Sequence, residues 1–170
     1  PFLDCRVSTL GVDLMTFNSD KIYGPKGAGC LYVRRGINLQ PILYGGGQER
    51  GRRSGTENVP AIVGFAKALE VCVKSQEKES ARLTKLRDYF IKKLLALPGT
   101  TLNGSATMRL PNNINVSFAN ADSEFVVLNL DVHGVLVSSG SACSAQEKSS
   151  SHVIKALGEQ ADSAVRFTLG

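Results

Sequence analysis

Between Pro60 and Leu94 apolar side chains return every three or four residues, at Ile62, Phe65, Ala66, Leu69 and Val73 and again at Leu83, Leu86, Phe90 and Leu94. Lys, Glu and Arg fill the intervals. That period belongs to a helix, so one long amphipathic helix or two abutting ones is expected here. Pro60 falls in the first turn, where its missing N–H costs nothing, and Pro98-Gly99 closes the segment. The apolar stripe is expected to pack into a core. A rod of this length sets the organisation of everything else. It predicts a boundary near 95–100, with a first part at 1–97, a second at 98–170, and the helix as hinge between them.

The flanking patterns differ. Ahead of the helix, "VDLMTF" (12–17) and "CLYVRR" (30–35) are short and rich in strand formers, and a glycine-containing loop separates them. The turn-rich run 41–58, "PILYGGGQERGRRSGTEN", is long for a connection, and such loops tend to be functional. Beyond Gly99 the order reads strand "NINVSF", helix "SEFVVLNLDVHG" ending at Gly134, strand "VLVSS", a serine-rich loop, helix "SSHVIKALG" ending at Gly158, and strand "AVRFTL". Strands alternating with helices make a small α/β layer.

Composition narrows the function classes. The 170 residues are 42% apolar, and the net charge of +5 is scattered rather than gathered in a stripe. With aromatics at only 6%, the basic patch interleaved with aromatics that nucleic-acid binding calls for is missing. Cysteines at 5, 30, 72 and 143 have no CxxC spacing, so neither a metal site nor a disulfide framework is indicated, and reduced thiols in a cytoplasmic setting are expected. No apolar run reaches membrane-spanning length. The chain opens on Pro rather than Met and stops in a strand-like segment, so it is expected to be a piece of a longer polypeptide.

Three places carry chemistry. "FNSDKIYGPKGAG" (17–29) combines Lys21 and Lys26 with glycines at 24, 27 and 29, which permit tight bends and close approach to a ligand. A phosphate or other anion suits it, as does a plain surface turn. It contains no GxxxxGK[ST], so it is not a P-loop. Cys143 sits in "SSGSACSAQEKSSS" (138–151) among small polar residues, where a thiol is expected to be accessible and its thiolate nucleophilic, although unreactive exposed cysteines are also common. Arg166 alternates with Val165 and Phe167 near the end of a strand, where a guanidinium either clamps a carboxylate or faces water.

Taken together, "DKIYGPKGAG", "GGGQERGRRSGTEN", "LPNNINVSF", "SSGSACSA" and "VRFTLG", in this order and at these distances, resemble the class I, NifS/IscS-like cysteine desulfurases of the class-V aminotransferase family. The likeness spans nearly the whole chain and corresponds to the C-terminal portion of such an enzyme. It implies the aspartate-aminotransferase-like α/β architecture (fold type I), with part of the large cofactor-binding domain followed by the small C-terminal domain. It also implies pyridoxal 5'-phosphate as cofactor, bonded covalently to Lys21. Thr56 would reach the cofactor phosphate of the other subunit, making a homodimer the active unit, and Asn18 and Asp20 would stand at cofactor-contacting positions. By the same resemblance Arg166 holds the carboxylate of L-cysteine and Cys143 takes its sulfur as a persulfide, leaving alanine. The persulfide would then pass to a sulfur acceptor or iron-sulfur scaffold protein.

Two residues depart from the family's pattern. A histidine usually precedes the cofactor lysine, and here the residue is Asp20; a serine is common where Asn18 stands. A carboxylate beside a phosphate is repulsive unless it is turned away or protonated. The family's stacking histidine, its pyridinium-pairing aspartate and its glycine-threonine phosphate loop belong to a region ahead of this segment, so the 170 residues by themselves are expected to be inactive. Two other readings stay open: a non-catalytic dimerisation or scaffold-binding module, and a selenocysteine lyase.

Overall fold

A computed structural model describes residues 2–140, 151–158 and 161–170. The chain divides into two compact units, Leu3–Glu77 and Lys78–Gly170, with Phe2 joining the second. The division falls inside a single continuous helix.

In the first unit a one-turn helix α1 (Val7–Leu10) ends at Gly11, whose φ of 65° lies in the left-handed region. Strands β1 (Leu14–Asn18) and β2 (Gly29–Val33) then pair antiparallel, from Leu14 opposite Val33 to Asn18 opposite Gly29. The residues between them form the connection of this hairpin. The expected strands at 12–17 and 30–35 are thus both present, each displaced by a residue or two.

Helix α2 runs from Val59 to Leu95 without interruption. Asn58 caps it by accepting a hydrogen bond from the Ala61 amide at 3.3 Å, which satisfies one of the orphan donors of the first turn. On its exposed face Glu70 joins Lys67 and Lys74 at 2.9 and 2.6 Å. The expected core stripe is only half correct. Leu83 and Leu94 are buried, whereas Ile62, Leu69, Val73 and Leu86 are exposed. In the first unit Phe65 of the expected stripe is half-buried, and the other half-buried positions of the helix are Ala61, Gly64, Ala68, Cys72 and Gln76. Period reveals which residues share a face but not what covers that face, and here the covering loop approaches most closely at Gly64 and Ala68.

The second unit is an antiparallel sheet in the order β3 (Thr100–Leu102), β4 (Asn113–Phe118), β5 (Ala164–Thr168). Ile114 and Val116 of β4 and Val165 and Phe167 of β5 point to one face, where they join Ile91 and Leu94 of α2 in a core. Phe90 meets Phe167 edge to face with ring centroids 5.1 Å apart. Val126 and Leu130 of α3 (Ser123–Val132) pack on the same cluster. Asp122 caps α3 by accepting from the Glu124 and Phe125 amides at 2.8 and 3.1 Å. A second, smaller cluster joins Ile154 of α4 (His152–Ala156) to Ala161 and Ala164.

The expected strand "VLVSS" is not formed. Among the described residues it contributes one bridge, Ser138 to Arg166. Its first residue is used otherwise: the Val135 amide donates to the Leu130 carbonyl at 2.8 Å and completes the end of α3, with Gly134 at φ 75°.

Candidate active site

The lysine turn is built from small residues. After β1, Ser19–Ile22 form one 3₁₀ turn that ends at Tyr23, with φ 62°. The Ser19 amide donates to the Ala28 carbonyl at 3.1 Å and the Gly24 amide to the Ser19 carbonyl at 2.9 Å, which ties the base of the loop. Gly27, at φ 83°, makes the bend that a side chain would resist. The loop then lies against α2 at two glycines. A Cβ on Gly24 would stand 2.3 Å from Ser19 Oγ and 3.0 Å from Ala68 Cβ, and one on Gly64 would stand 2.5 Å from Pro25 Cγ. This docking explains why Gly64 and Ala68 occupy the covered stripe of α2.

Docking holds the turn's inner side and presents its outer side. Ser19 is fully buried, and its Oγ has no hydrogen-bond partner among the described residues. Lys21 points the other way, with 77% of its side chain exposed. Asp20 Oδ2 lies 3.0 Å from Lys21 Nζ. The Asp20 carboxylate is thus turned onto the neighbouring amine. Asn18, at the end of β1, is exposed.

Thr56 follows a strained loop. Glu49, Arg50 and Gly51 have φ of 48°, 58° and 74°, three successive left-handed residues of which only the glycine is at ease. Gln48 Oε1 accepts from the Gly55 amide at 3.2 Å and closes this loop on itself. Thr56 is exposed just beyond it.

Arg166 lies on the face of the sheet opposite the apolar core. Its amide donates to the Ser138 carbonyl at 2.7 Å and its carbonyl accepts from the Ser138 amide at 3.1 Å. On its other side it stands opposite Asn115. Arg166 Nε is buried and has no hydrogen-bond partner among the described residues, a costly state for a charged group. Cys143 lies outside the described residues.

The structure therefore gathers Asn18, Asp20 and Lys21 on one turn of the first unit, with Thr56 elsewhere in that unit and Arg166 in the second. Sequence reasoning missed Ser19 and the polar residues flanking Arg166. The signal for the latter was present: in "NNINVSF" the polar positions 113, 115 and 117 alternate with apolar ones, which marks a strand with one polar face.

The aminotransferase class-V family matches residues 3–170. Cysteine desulfurase IscS 1 of Archaeoglobus fulgidus is 48% identical over 171 residues, covering 99% of this chain and 45% of its own length. Cysteine desulfurase IscS of Dictyoglomus turgidum is 48% identical over 169 residues, covering 97% and 43%. Among solved structures, a NifS-like protein superposes with a TM-score of 0.83 at 36% identity, over 96% of this chain and 42% of that one. A NifS-like protein from Rickettsia africae superposes at 0.85 with 32% identity, over 96% and 44%. The chain spans less than half the length of these relatives, and it has the α/β architecture of fold type I that they share. With a family match running from residue 3 to residue 170, this chain belongs to the aminotransferase class-V family, beside the IscS- and NifS-like cysteine desulfurases.

Proposed function

We propose that the chain is part of a cysteine desulfurase that uses pyridoxal 5'-phosphate, with 1–97 in the cofactor-binding domain and 98–170 in the small domain. The observation that carries this reading is the presentation of Lys21: an accessible primary amine on a turn docked to α2 through Gly24 and Gly64. An aldehyde requires such an amine, and the exposed amide of Asn18 beside it is a donor suited to a phosphate. When bound, the group supplies the electron sink that loosens the bond between carbon and sulfur in an amino acid.

The chain's own residues have the following parts. Lys21 anchors the cofactor, with Asn18 and Asp20 at its edge, and Thr56 donates to the phosphate held by the other subunit of a homodimer. Arg166 binds the α-carboxylate of L-cysteine with its guanidinium fork. The Cys143 thiolate attacks the substrate sulfur; the substrate's C–S bond breaks, an S–S bond forms on Cys143, and the carbon takes up a proton to leave alanine. The persulfide passes to an acceptor, such as an iron-sulfur scaffold protein, in the cytoplasm. Among the described residues no helix is long and apolar enough to cross a membrane, and no group of acidic, His and Cys residues is placed to hold a metal.

The test is sulfide release from L-cysteine in the presence of a thiol reductant by the polypeptide that contains this segment. Lys21→Ala is expected to abolish covalent cofactor capture, and Cys143→Ser to retain capture while releasing no sulfide. Wild-type turnover in the Cys143→Ser variant would sink the sulfur-transfer role. The Asp20–Lys21 ion pair favours a second reading, a non-catalytic dimerisation or scaffold-binding module. Failure of the wild-type protein to capture cofactor at all would establish that alternative, and preference for selenocysteine over cysteine would make the enzyme a lyase of that substrate.

A further inference from the structure

Four polar residues stand in one row across the sheet of the second unit. The Asn103 amide donates to the Asn115 carbonyl at 2.9 Å, Asn115 faces Arg166 across β4 and β5, and Arg166 exchanges both backbone hydrogen bonds with Ser138. Directly opposed residues of antiparallel strands share a face, so Asn103, Asn115, Arg166 and Ser138 all project away from the apolar core. Because the backbone of Arg166 is bonded to Ser138 and that of Asn115 to Asn103, the Asn115–Arg166 pair is the non-hydrogen-bonded kind, in which side chains come closest.

Both side-chain amide oxygens of the row are engaged. Asn103 is buried, and its Nδ2 donates to Asn115 Oδ1 at 2.7 Å and to Ser117 Oγ at 2.9 Å, while Ser117 Oγ donates to Asn103 Oδ1 at 3.2 Å. Ser138 Oγ donates to the Gly140 carbonyl at 3.0 Å. With Oδ1 committed to Asn103, the polar group left to Asn115 is Nδ2, a donor. On the paired residue of the next strand is the buried Nε–H of Arg166, which has no acceptor among the described residues. The two donors stand on directly opposed residues, and a carboxylate, with two acceptor oxygens and a negative charge, is the group suited to take both.

We infer that Asn115 is a second residue of the carboxylate site, donating from Nδ2 to the oxygen beside the one bound by Arg166, and that Asn103 orients it. The inference rests on the reading of Arg166 as the carboxylate-binding residue. Asn115 thereby adds a contact from the neighbouring strand to those of the guanidinium, and so sets the angle at which an α-amino acid lies along the sheet.

The test uses the complete ¹⁵N-labelled chain, with the Arg166 Nε–Hε resonance identified by its loss in Arg166→Lys and then titrated with L-alanine. A saturable shift is expected in the unsubstituted chain, and no shift with methylammonium, which lacks a carboxylate. Asn115→Ala and Asn115→Ser are expected to raise the titration midpoint at least tenfold. Asn115→Asp should displace the resonance before any addition and abolish the response, because its own carboxylate takes the acceptor's place. If L-alanine leaves the Arg166 resonance unmoved in the unsubstituted chain, the carboxylate role of Arg166 fails and this inference with it. Should the unsubstituted chain respond and all three Asn115 variants respond equally, the inference alone is overturned. Loss of the dispersed amide spectrum in both Asn115→Ala and Asn115→Ser would make Asn115 a structural residue and overturn it as well.

Discussion

Asp20 Oδ2 and Lys21 Nζ form an ion pair at 3.0 Å between neighbours on one 3₁₀ turn, with the lysine largely in solvent and the aspartate more sheltered. A carboxylate at this distance holds the amine through a charge-assisted hydrogen bond that has to be given up before the nitrogen can attack an aldehyde. Asp20→Asn is therefore expected to speed covalent capture of pyridoxal phosphate by Lys21. The effect is small, because an exposed pair is worth about 0.2–1 kcal/mol, or roughly 1.5- to 5-fold. Borohydride trapping followed by peptide mass mapping measures it, and an unchanged trapping rate would remove Asp20 from any part in the lysine's chemistry.

Gly64→Ala separates helix propensity from packing. In an isolated helix the change gains about 1 kcal/mol. Here the new methyl would meet the Pro25 ring at 2.5 Å, and a proline ring cannot rotate away. Net destabilisation is expected, together with faster hydrogen exchange at the Gly24 amide, which donates to Ser19. A stabilised variant with unaltered exchange would show that the loop does not lean on α2.

The two halves of α2 should respond differently to truncation. Leu83 is fully buried, so Leu83→Ala is expected to cost about 2–5 kcal/mol in denaturant unfolding. Val73 is 62% exposed, and Val73→Ala should fall within about 0.5 kcal/mol of the parent. Equal costs would mean that Val73 is covered in the protein as it exists in solution.

Arg87 is buried, with its Nε 2.8 Å from Asp88 Oδ1 and its Nη1 donating to the carbonyls of Arg109 and Leu110. Burial, with the Arg87 charge adding to it, lowers the pKa of the neighbouring Arg109 guanidinium from its usual value. Asp88→Ala leaves a buried cation without its counter-charge, and a loss of about 1.5–3 kcal/mol is expected, the range for a hydrogen bond to a charged group. Thermal unfolding of the single variants and of Arg87→Met/Asp88→Ala checks it, since removing both charges should restore part of the loss.

Near the start of the chain, hydrogen bonds from the Arg6 side chain and amide hold the Asp4 carboxyl down at about 2, against a usual 3.8. A depressed carboxyl stabilises the folded state above its unfolded pKa, and that contribution disappears as pH falls through about 2. NMR titration of the Asp4 carboxyl carbon should give a midpoint near 2, returning towards 3.8 in Arg6→Ala.

Much of this was legible in the residues. The glycines of 17–29 announced a turn, the three-and-four spacing announced α2, and five ordered motifs announced the family. What stayed hidden depends on distance across the fold. Nothing local distinguishes Ile62, which is exposed, from Leu83, which is buried, because each sits in the same period and only the neighbouring elements differ. The row through Arg166 needed strand register, which residues far apart in the chain decide together. Ser138 was expected within a five-residue strand and supplies a single bridge, because the end of α3 had already drawn in Val135.

The alternation in β5 makes length more critical than identity. Val165 and Phe167 are buried while Arg166 between them serves the opposite surface. Deleting one residue just ahead of Arg166 would slide a guanidinium into the aliphatic interior and push a phenyl ring into water. Point replacement of Arg166 should thus be survivable for folding, whereas a shift in the side chains' reading frame should not.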